Sequence, residues 1–304
     1  MRIEQPFHEG ELEVQRRAGE TGAGARNGKA IGDEIMAGAL KFVAQQRLAA
    51  VATIDPFGDV WASLLFGEAG FLSAPDRRHV EIDLTKVDVD AGDPLWSNLR
   101  GDPRIGMLLI EFETRRRLRI NGRGAWARPD LLRLTVEEAY PNCPQYIRRR
   151  HPRAAAPGSE ALAATGEQMG IALRPDHIRW ITAADTLFVA SAHAARGADV
   201  SHRGGAPGFV SVVDDRTLRI PDYAGNGMFN TLGNLTLDPR AGIVLPDFEA
   251  GRTLQLVGRA VIRWDDGCDT AGGRCWDLHV KQWRESALPL TSRWQTKNEE
   301  SSRA

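Results

Sequence analysis

Residues 98–124, NLRGDPRIGMLLIEFETRRRLRINGRG, align without a gap on residues 234–260, NLTLDPRAGIVLPDFEAGRTLQLVGRA, at a constant offset of 136. The shared positions are Asn98, Leu99, Asp102, Pro103, Arg104, Gly106, Leu109, Phe112, Glu113, Arg116, Leu118, Gly122 and Arg123 with their counterparts, roughly half of the window. Upstream, 67-GEAGFLSAPDRR-78 matches 205-GAPGFVSVVDDR-216 at an offset of 138, and 50-AVATIDPFGDV-60 resembles 188-FVASAHAARGADV-200 once the second loop is made two residues longer. The order of elements is the same in both halves, so the chain has to fold as two copies of one unit.

Within each copy the apolar pattern is that of strands. AAVATI and LFVASA are short runs rich in apolar and β-branched residues; GFLSAP and GFVSVV start after glycine turns; RRLRING and RTLQLVG alternate with period two. The Asp-Pro pairs at 102 and 238 stop a short helix and start the next strand. About six strands with mostly local connections give a small barrel per half, and a duplicated barrel is in symmetry terms a dimer joined in one chain, with ligand positions in the clefts between its halves. The expected division is an N-terminal arm and start of a lead helix at 1–40, a first barrel at 41–137, a helical linker at 138–178, a second barrel at 179–265 and a tail at 266–304. The stretch 33-DEIMAGALKFVAQQ-46 reads as an amphipathic helix.

The totals exclude several classes. A net charge of −1 gives no general attraction to nucleic acid or anionic membrane, so an anionic ligand needs a local seat. No stretch approaches the roughly 18 apolar residues of a membrane span, and no apolar signal-type segment opens the chain, which places it in the cytoplasm as an expectation. The seven histidines show no paired ligand spacing, so no metal centre is expected. Cys143, Cys268 and Cys275 are expected as reduced thiols, with Cys143 packed as a small apolar side chain. The basic runs Arg115–Arg117 and Arg148–Arg150 lack interleaved aromatics and read as solvated faces.

The strings 201-SHRGGAPGFV-210, 218-LRIPDYAGN-226, 230-NTLGN-234, 238-DPRAGIVL-245 and 253-TLQLVGRA-260, with 58-GDVWAS-63 and 140-YPNCPQYI-147, taken in order, resemble the FMN-binding split barrels related to pyridoxamine 5'-phosphate oxidase. The resemblance covers most of residues 41–265. It implies a mainly β (α+β) fold of two tandem six-stranded split β-barrels forming an intrachain pseudo-dimer with short helices, and FMN at the interface between barrels. It does not imply one reaction.

FMN needs an anion seat, hydrogen bonds to its ribityl chain and a flat slot for its ring. Arg203 supplies a fork of donors for the phosphate, and Ser201 lies two residues earlier on the same strand face; His202 points to the opposite face and is read as structural. Gly204, Asp222 and Gly225 follow in the same string, and Asn226 is read as the N-cap of a short helix whose free N–H groups favour phosphate. Asn230, Thr231 and Asn234 on that helix are ribityl or phosphate ligands in this reading. Relatives often carry a basic residue after the Gly-Asn, where this chain has Gly227 and Met228.

The first half, aligned as Trp61-Ala62-Ser63 against Ser201-His202-Arg203, has no cation, and its helix start carries Asp93, which repels a phosphate. One flavin site per chain follows, with Trp61 and Ser63 as candidates for its ring or for a degenerate second site, and Trp61 read in the first place as a core or interface residue. The expected function is an FMN-dependent oxidoreductase passing electrons from a reduced nicotinamide or similar donor to a small acceptor, with no catalytic side chain identified. Its partners are small molecules, with homodimerisation open. A non-catalytic flavin module or reductase partner is the alternative, followed by a haem- or deazaflavin-binding barrel.

Overall fold

The structure is a computed structural model that describes residues 3–152, 167–264, 268, 273–288 and 294–296. The first half contains β1 (Leu48–Ile54), β2 (Val60–Phe66), β3 (Leu72–Ser73), β4 (His79–Asp83), β5 (Arg104–Glu111), β6 (Arg116–Arg128) and β7 (Leu131–Asn142), paired in the order β2-β1-β5-β6-β7-β4-β3. Short strands β8 (Arg150–Pro152) and β9 (Gln168–Gly170) lead to the second half. There β10 (Thr186–His193), β11 (Gly197–Gly204), β12 (Ser211–Asp214), β13 (Thr217–Pro221), β14 (Arg240–Asp247), β15 (Arg252–Trp264) and β16 (Arg274–Ala287) pair as β11-β10-β14-β15-β16-β13-β12, the same path. A last strand, β17 (Trp294–Thr296), pairs with β8. The fold is mainly β: two tandem split barrels, each of six main strands and one short edge piece, joined as an intrachain pseudo-dimer.

Burial shows why the repeated strands are apolar on both faces. Along β1, Ala49 and Val51 enter the core of the first barrel, while Leu48, Ala50, Ala52 and Ile54 enter a separate core between the barrels. Along β10, Leu187 and Val189 fill the second barrel, while Phe188, Ala190 and Ala192 meet the shared core. A strand buried on both sides has no polar face to alternate with.

The repeated glycine of the long match has a specific task. A Cβ at Gly106 on β5 would lie 2.6 Å from the Ala198 carbonyl oxygen on β11, and one at Gly242 on β14 would lie 2.3 Å from that of Val60 on β2. The two contacts are related by the pseudo-twofold, so glycine at both positions sets how closely the barrels approach.

The helices are α1 (Glu9–Arg17), α2 (Thr21–Gly28), α3 (Leu40–Ala44), α4 (Pro94–Gly101), α5 (Pro175–Ala183) and α6 (Asn230–Leu237). Three expectations need correction. The helix expected over 33–46 is a 3-10 turn at Ala37–Ala39 running into α3, because Gly38 and the preceding Ile35, which is wholly buried and bonded to Arg77, anchor the segment as a loop. The tail expected from 266 carries β16, which pairs with β15 and β13, so the second barrel runs to Ala287. The described part of the 138–178 linker holds the end of β7 together with β8, β9 and the first turn of α5, rather than a linker helix; its Ala/Pro-rich centre, 153–166, lies outside the described residues.

Cys268 and Cys275, expected as thiols, form a disulfide with Cα atoms 5.5 Å apart. Cys275 stands at the start of β16, opposite Arg263 near the end of β15. Cys143 is free.

Candidate functional site

An open cleft between the barrels leaves about 110 Å³ of space. The first barrel contributes Arg117 and Arg119 from β6 and Asn142, Cys143, Gln145 and Tyr146 from the end of β7 and the loop after it. The second contributes the end of β11, the loop after β13 and the start of α6. Ser201, Arg203, Gly204, Asp222, Gly225, Asn226, Asn230 and Thr231 all line it.

Arg119 is the strut of this cleft. It is buried, and its Nη1 donates to Tyr140 Oη at 3.0 Å and Asn230 Oδ1 at 2.9 Å, while Nη2 donates to Ser201 Oγ at 2.5 Å. Asp199 Oδ1 lies 3.2 Å from the same guanidinium. Ser201 Oγ also accepts from Thr231 Oγ1 at 2.9 Å. One side chain of the first barrel thereby ties together β11 and α6 of the second.

Arg117 and Arg203 are less compensated. Arg117 donates to the Cys143 carbonyl, and Arg203 has Asp222 Oδ1 at 3.5 Å, but Asp222 is shared with Arg274 at 3.2 Å. The Nε atoms of both Arg117 and Arg203 are buried without a hydrogen-bond partner. Burial, with Arg119 and then Arg203 nearby, pulls the Arg117 guanidinium down to about 10, the mark of a cation lacking an anion.

His202 lies between Phe112 and Phe188 in edge contacts, facing the shared core. Burial first, then Arg117, Arg150 and Arg203, holds it well below the ordinary imidazole range, so it is neutral. At the mouth, Tyr146 and Tyr223 stack with centroids 5.1 Å apart and Tyr146 Oη donates to the Ala224 carbonyl at 2.9 Å, giving a flat aromatic wall. Tyr146 holds a left-handed backbone, φ 62°. Gly204 is required there, because a Cβ would lie 2.0 Å from the Tyr146 carbonyl oxygen.

Several assignments change. Asn226 does not cap the helix: its Oδ1 accepts from Met228 N at 3.0 Å in a turn, and α6 begins four residues later behind Phe229, which has φ 59°. Asn234 lies outside the cleft. It donates to Ser191 Oγ at 3.0 Å, as Asn98 donates to Thr53 Oγ1 at 3.1 Å, so this repeated asparagine fastens the helix to its barrel in both halves. Its Oδ1 meets His8 Nε2 at 2.9 Å, beneath the N-terminal arm. Nor are both basic runs wholly solvated. Arg117 lines the cleft, and Arg150 is buried against Thr186 and Asp185, because in these strands one face turns inward. Cys143, expected as packed, also lines the cleft.

The register of the repeat shifts by two residues in β2. Ser63 opposes Val51 as Ser201 opposes Val189, and Val51 and Val189 hold equivalent places against Met107 and Ile243. Ser63 is therefore the partner of Ser201, and Leu65 that of Arg203. Trp61 donates to Asp55 at 3.1 Å, away from the cleft.

Around Ser63 the symmetry-related position is filled. Asp93 Oδ1 accepts from Ser63 Oγ at 2.6 Å and from Leu95 N at 2.9 Å, and Gln255, the repeat partner of Arg119, donates to Ser63 Oγ at 3.1 Å and Asp93 Oδ2 at 3.2 Å. Behind it, Arg284 holds Gln255, Asp90 and Glu167. Burial pushes Asp93 up to about 6. An internal carboxylate thus stands where the other half opens a cationic cleft.

Arg117 and Arg119 escaped the sequence reading, although a signal was present. They alternate on one strand face, and their repeat partners, Thr253 and Gln255, are uncharged.

No protein-family profile matches the sequence, and neither does any curated protein. Solved structures similar to parts of the chain include a Lactobacillus delbrueckii protein named as a candidate pyridoxamine 5'-phosphate oxidase, at 12% identity over 39% of this chain and 98% of its own, TM-score 0.33. A FAD-binding protein from Mesorhizobium loti is similar at 13% identity over 40% and 99%, TM-score 0.28. A heme binding protein from Mycobacterium smegmatis is similar at 20% identity over 42% and 60%, TM-score 0.27.

Proposed function

We propose that the protein binds one FMN per chain in the interbarrel cleft and acts as an oxidoreductase between a reduced nicotinamide or similar donor and a small acceptor. The observation that carries this reading is the pair Arg117 and Arg203, two half-buried cationic forks whose buried Nε atoms lack partners, facing one cleft that the symmetry-related half replaces with a carboxylate. Arg203 and Arg117 would hold the phosphate, helped by the N–H groups at the start of α6, Asn230 and Thr231. Ser201 and Asn230, pre-set by Arg119, would orient the ribityl chain, and the Tyr146–Tyr223 wall would meet the ring.

The bound flavin supplies the redox chemistry at its ring. The chain's part is to fix the phosphate and keep His202 neutral beside three arginines, so that it adds no further charge to the cleft.

FMN titration followed by flavin fluorescence tests the seat, with riboflavin as the phosphate-free comparison. FMN is expected to bind at least ~100-fold tighter, from loss of charge-assisted contacts in riboflavin. Equal affinities would remove the arginines from the account. Anaerobic addition of NADH or NADPH to the loaded protein separates enzyme from carrier, since bleaching is expected only of the enzyme.

A further inference from the structure

Phe229, which lines the cleft, holds a left-handed backbone, φ 59°, directly before α6. That conformation is unfavourable for a bulky residue and persists only where its surroundings fix it. The fixing contacts come from the N-terminal arm.

Gln15 of α1, 1% exposed, donates from Nε2 to the Met228 carbonyl at 3.3 Å, on the peptide that enters Phe229. Glu11, one turn earlier, accepts at Oε1 from Asn230 Nδ2 at 2.5 Å, on the residue that follows Phe229. It reaches that far because α1 and α6 meet at small residues: a Cβ on Gly233 would lie 2.7 Å from Glu11 Cα. The region around α2 supports the preceding loop. Asn27 Nδ2 donates to the Asn226 carbonyl at 2.7 Å, and a Cβ on Gly227 would lie 3.0 Å from Ala23 Cβ. The arm therefore grips residues 226, 227, 228 and 230 around the strained one, and none of Glu11, Gln15 and Asn27 lines the cleft.

The first half shows why such a grip is needed. There α4, the repeat partner of α6, is capped by its own Asp93, which accepts from Leu95 N at 2.9 Å, and it begins with Pro94. At the start of α6 no side chain caps the helix among the described residues. Open N–H groups suit an anion, but a helix start without a cap of its own has to be shaped by a neighbour. Burial pushes the Glu11 carboxyl up to about 8, so near neutral pH it holds Asn230 without setting a negative charge behind the seat. From Asn230 the connection runs on into the cleft, since Asn230 Oδ1 accepts from Arg119 Nη1 at 2.9 Å.

We propose that the arm is a strap on the phosphate seat, with Glu11 and Gln15 as positioning residues that hold Phe229 left-handed and so keep the start of α6 shaped for the phosphate. The proposal rests on the cofactor reading above and adds the segment that shapes its seat.

The test compares FMN and riboflavin titrations of the full-length wild-type protein and Gln15→Met, with folding checked by thermal melting. The FMN-to-riboflavin affinity ratio is expected to fall at least ~5-fold in Gln15→Met, with riboflavin affinity unchanged. Phe229→Gly is measured alone and with Gln15→Met. Glycine takes that φ unaided, so the loss caused by Gln15→Met is expected to shrink by more than half in the glycine background. Equal losses in both backgrounds, or an unchanged ratio in Gln15→Met, would overturn the strap and leave the FMN seat standing. Amide hydrogen exchange in the flavin-free protein tests the strap whatever the cleft binds. Exchange over residues 226–232 is expected to rise at least ~10-fold in Gln15→Met while β14 is unchanged, and no rise would overturn the proposal. Should Gln15→Met fail to fold, the exposed Asn27→Ala decides by the same exchange measurement. A wild-type protein that binds FMN and riboflavin equally, yet shows the exchange result, would overturn the cofactor reading and not the strap.

Discussion

Single residues in this chain divide by whether their repeat partner keeps the same chemistry. Asn98 and Asn234 make the same helix-to-strand hydrogen bond in both halves, whereas Arg203 faces a leucine in its counterpart and Arg119 a glutamine. Arg203→Ala is expected to weaken FMN binding at least tenfold, about 1.4 kcal/mol, in a protein that melts as before. Unchanged affinity in titration would remove Arg203 from the seat. Asp93 makes the opposite prediction about its own half. Its folded value of about 6 lies above the ordinary 3.8, so its contribution to stability is fully present below about pH 3.8 and is lost as pH rises through 6. Urea unfolding from pH 4 to 7 should show the wild-type protein losing stability relative to Asp93→Asn across that window; parallel profiles would contradict the assignment.

At the scale of elements, the crossing strands decide whether there is a cleft at all. Gly106→Ala would put a Cβ 2.6 Å from a backbone oxygen of β11, whereas Gly124→Ala on β6 meets nothing closer than 3.6 Å. The first is expected to cost about 1–3 kcal/mol and to weaken FMN binding, and the second to change neither. Chemical unfolding and titration of the two variants check this, and equal behaviour would mean that the barrels are not held by that contact. The helices were less legible than the strands. The sequence puts the start of α6 too early because Asn226 has the chemistry of a cap and spends it on a local turn instead. The arm carried no motif, yet α1 crosses α6 where a Cβ on Gly10 would lie 2.3 Å from the Gly233 carbonyl oxygen, a contact that no periodicity announces.

For the whole molecule, the duplication was readable because apolar and turn residues repeat at nearly constant spacing, and that repeat implies both the barrels and the cleft between them. β16 was not readable as part of the second barrel, since its alternation, Arg274-Cys275-Trp276-Asp277, buries arginine and aspartate in ion pairs. The site was half legible: the strand and loop that carry Arg203 stood out locally, while Arg117 and Arg119 reach it from the other barrel, across a distance that sequence spacing does not encode. The central claim is one open cationic cleft and one position closed by its own carboxylate. Calorimetric titration of the purified chain with FMN tests it most directly: the account predicts one FMN per chain, retained in Ser63→Ala, and two per chain, or none, would contradict it.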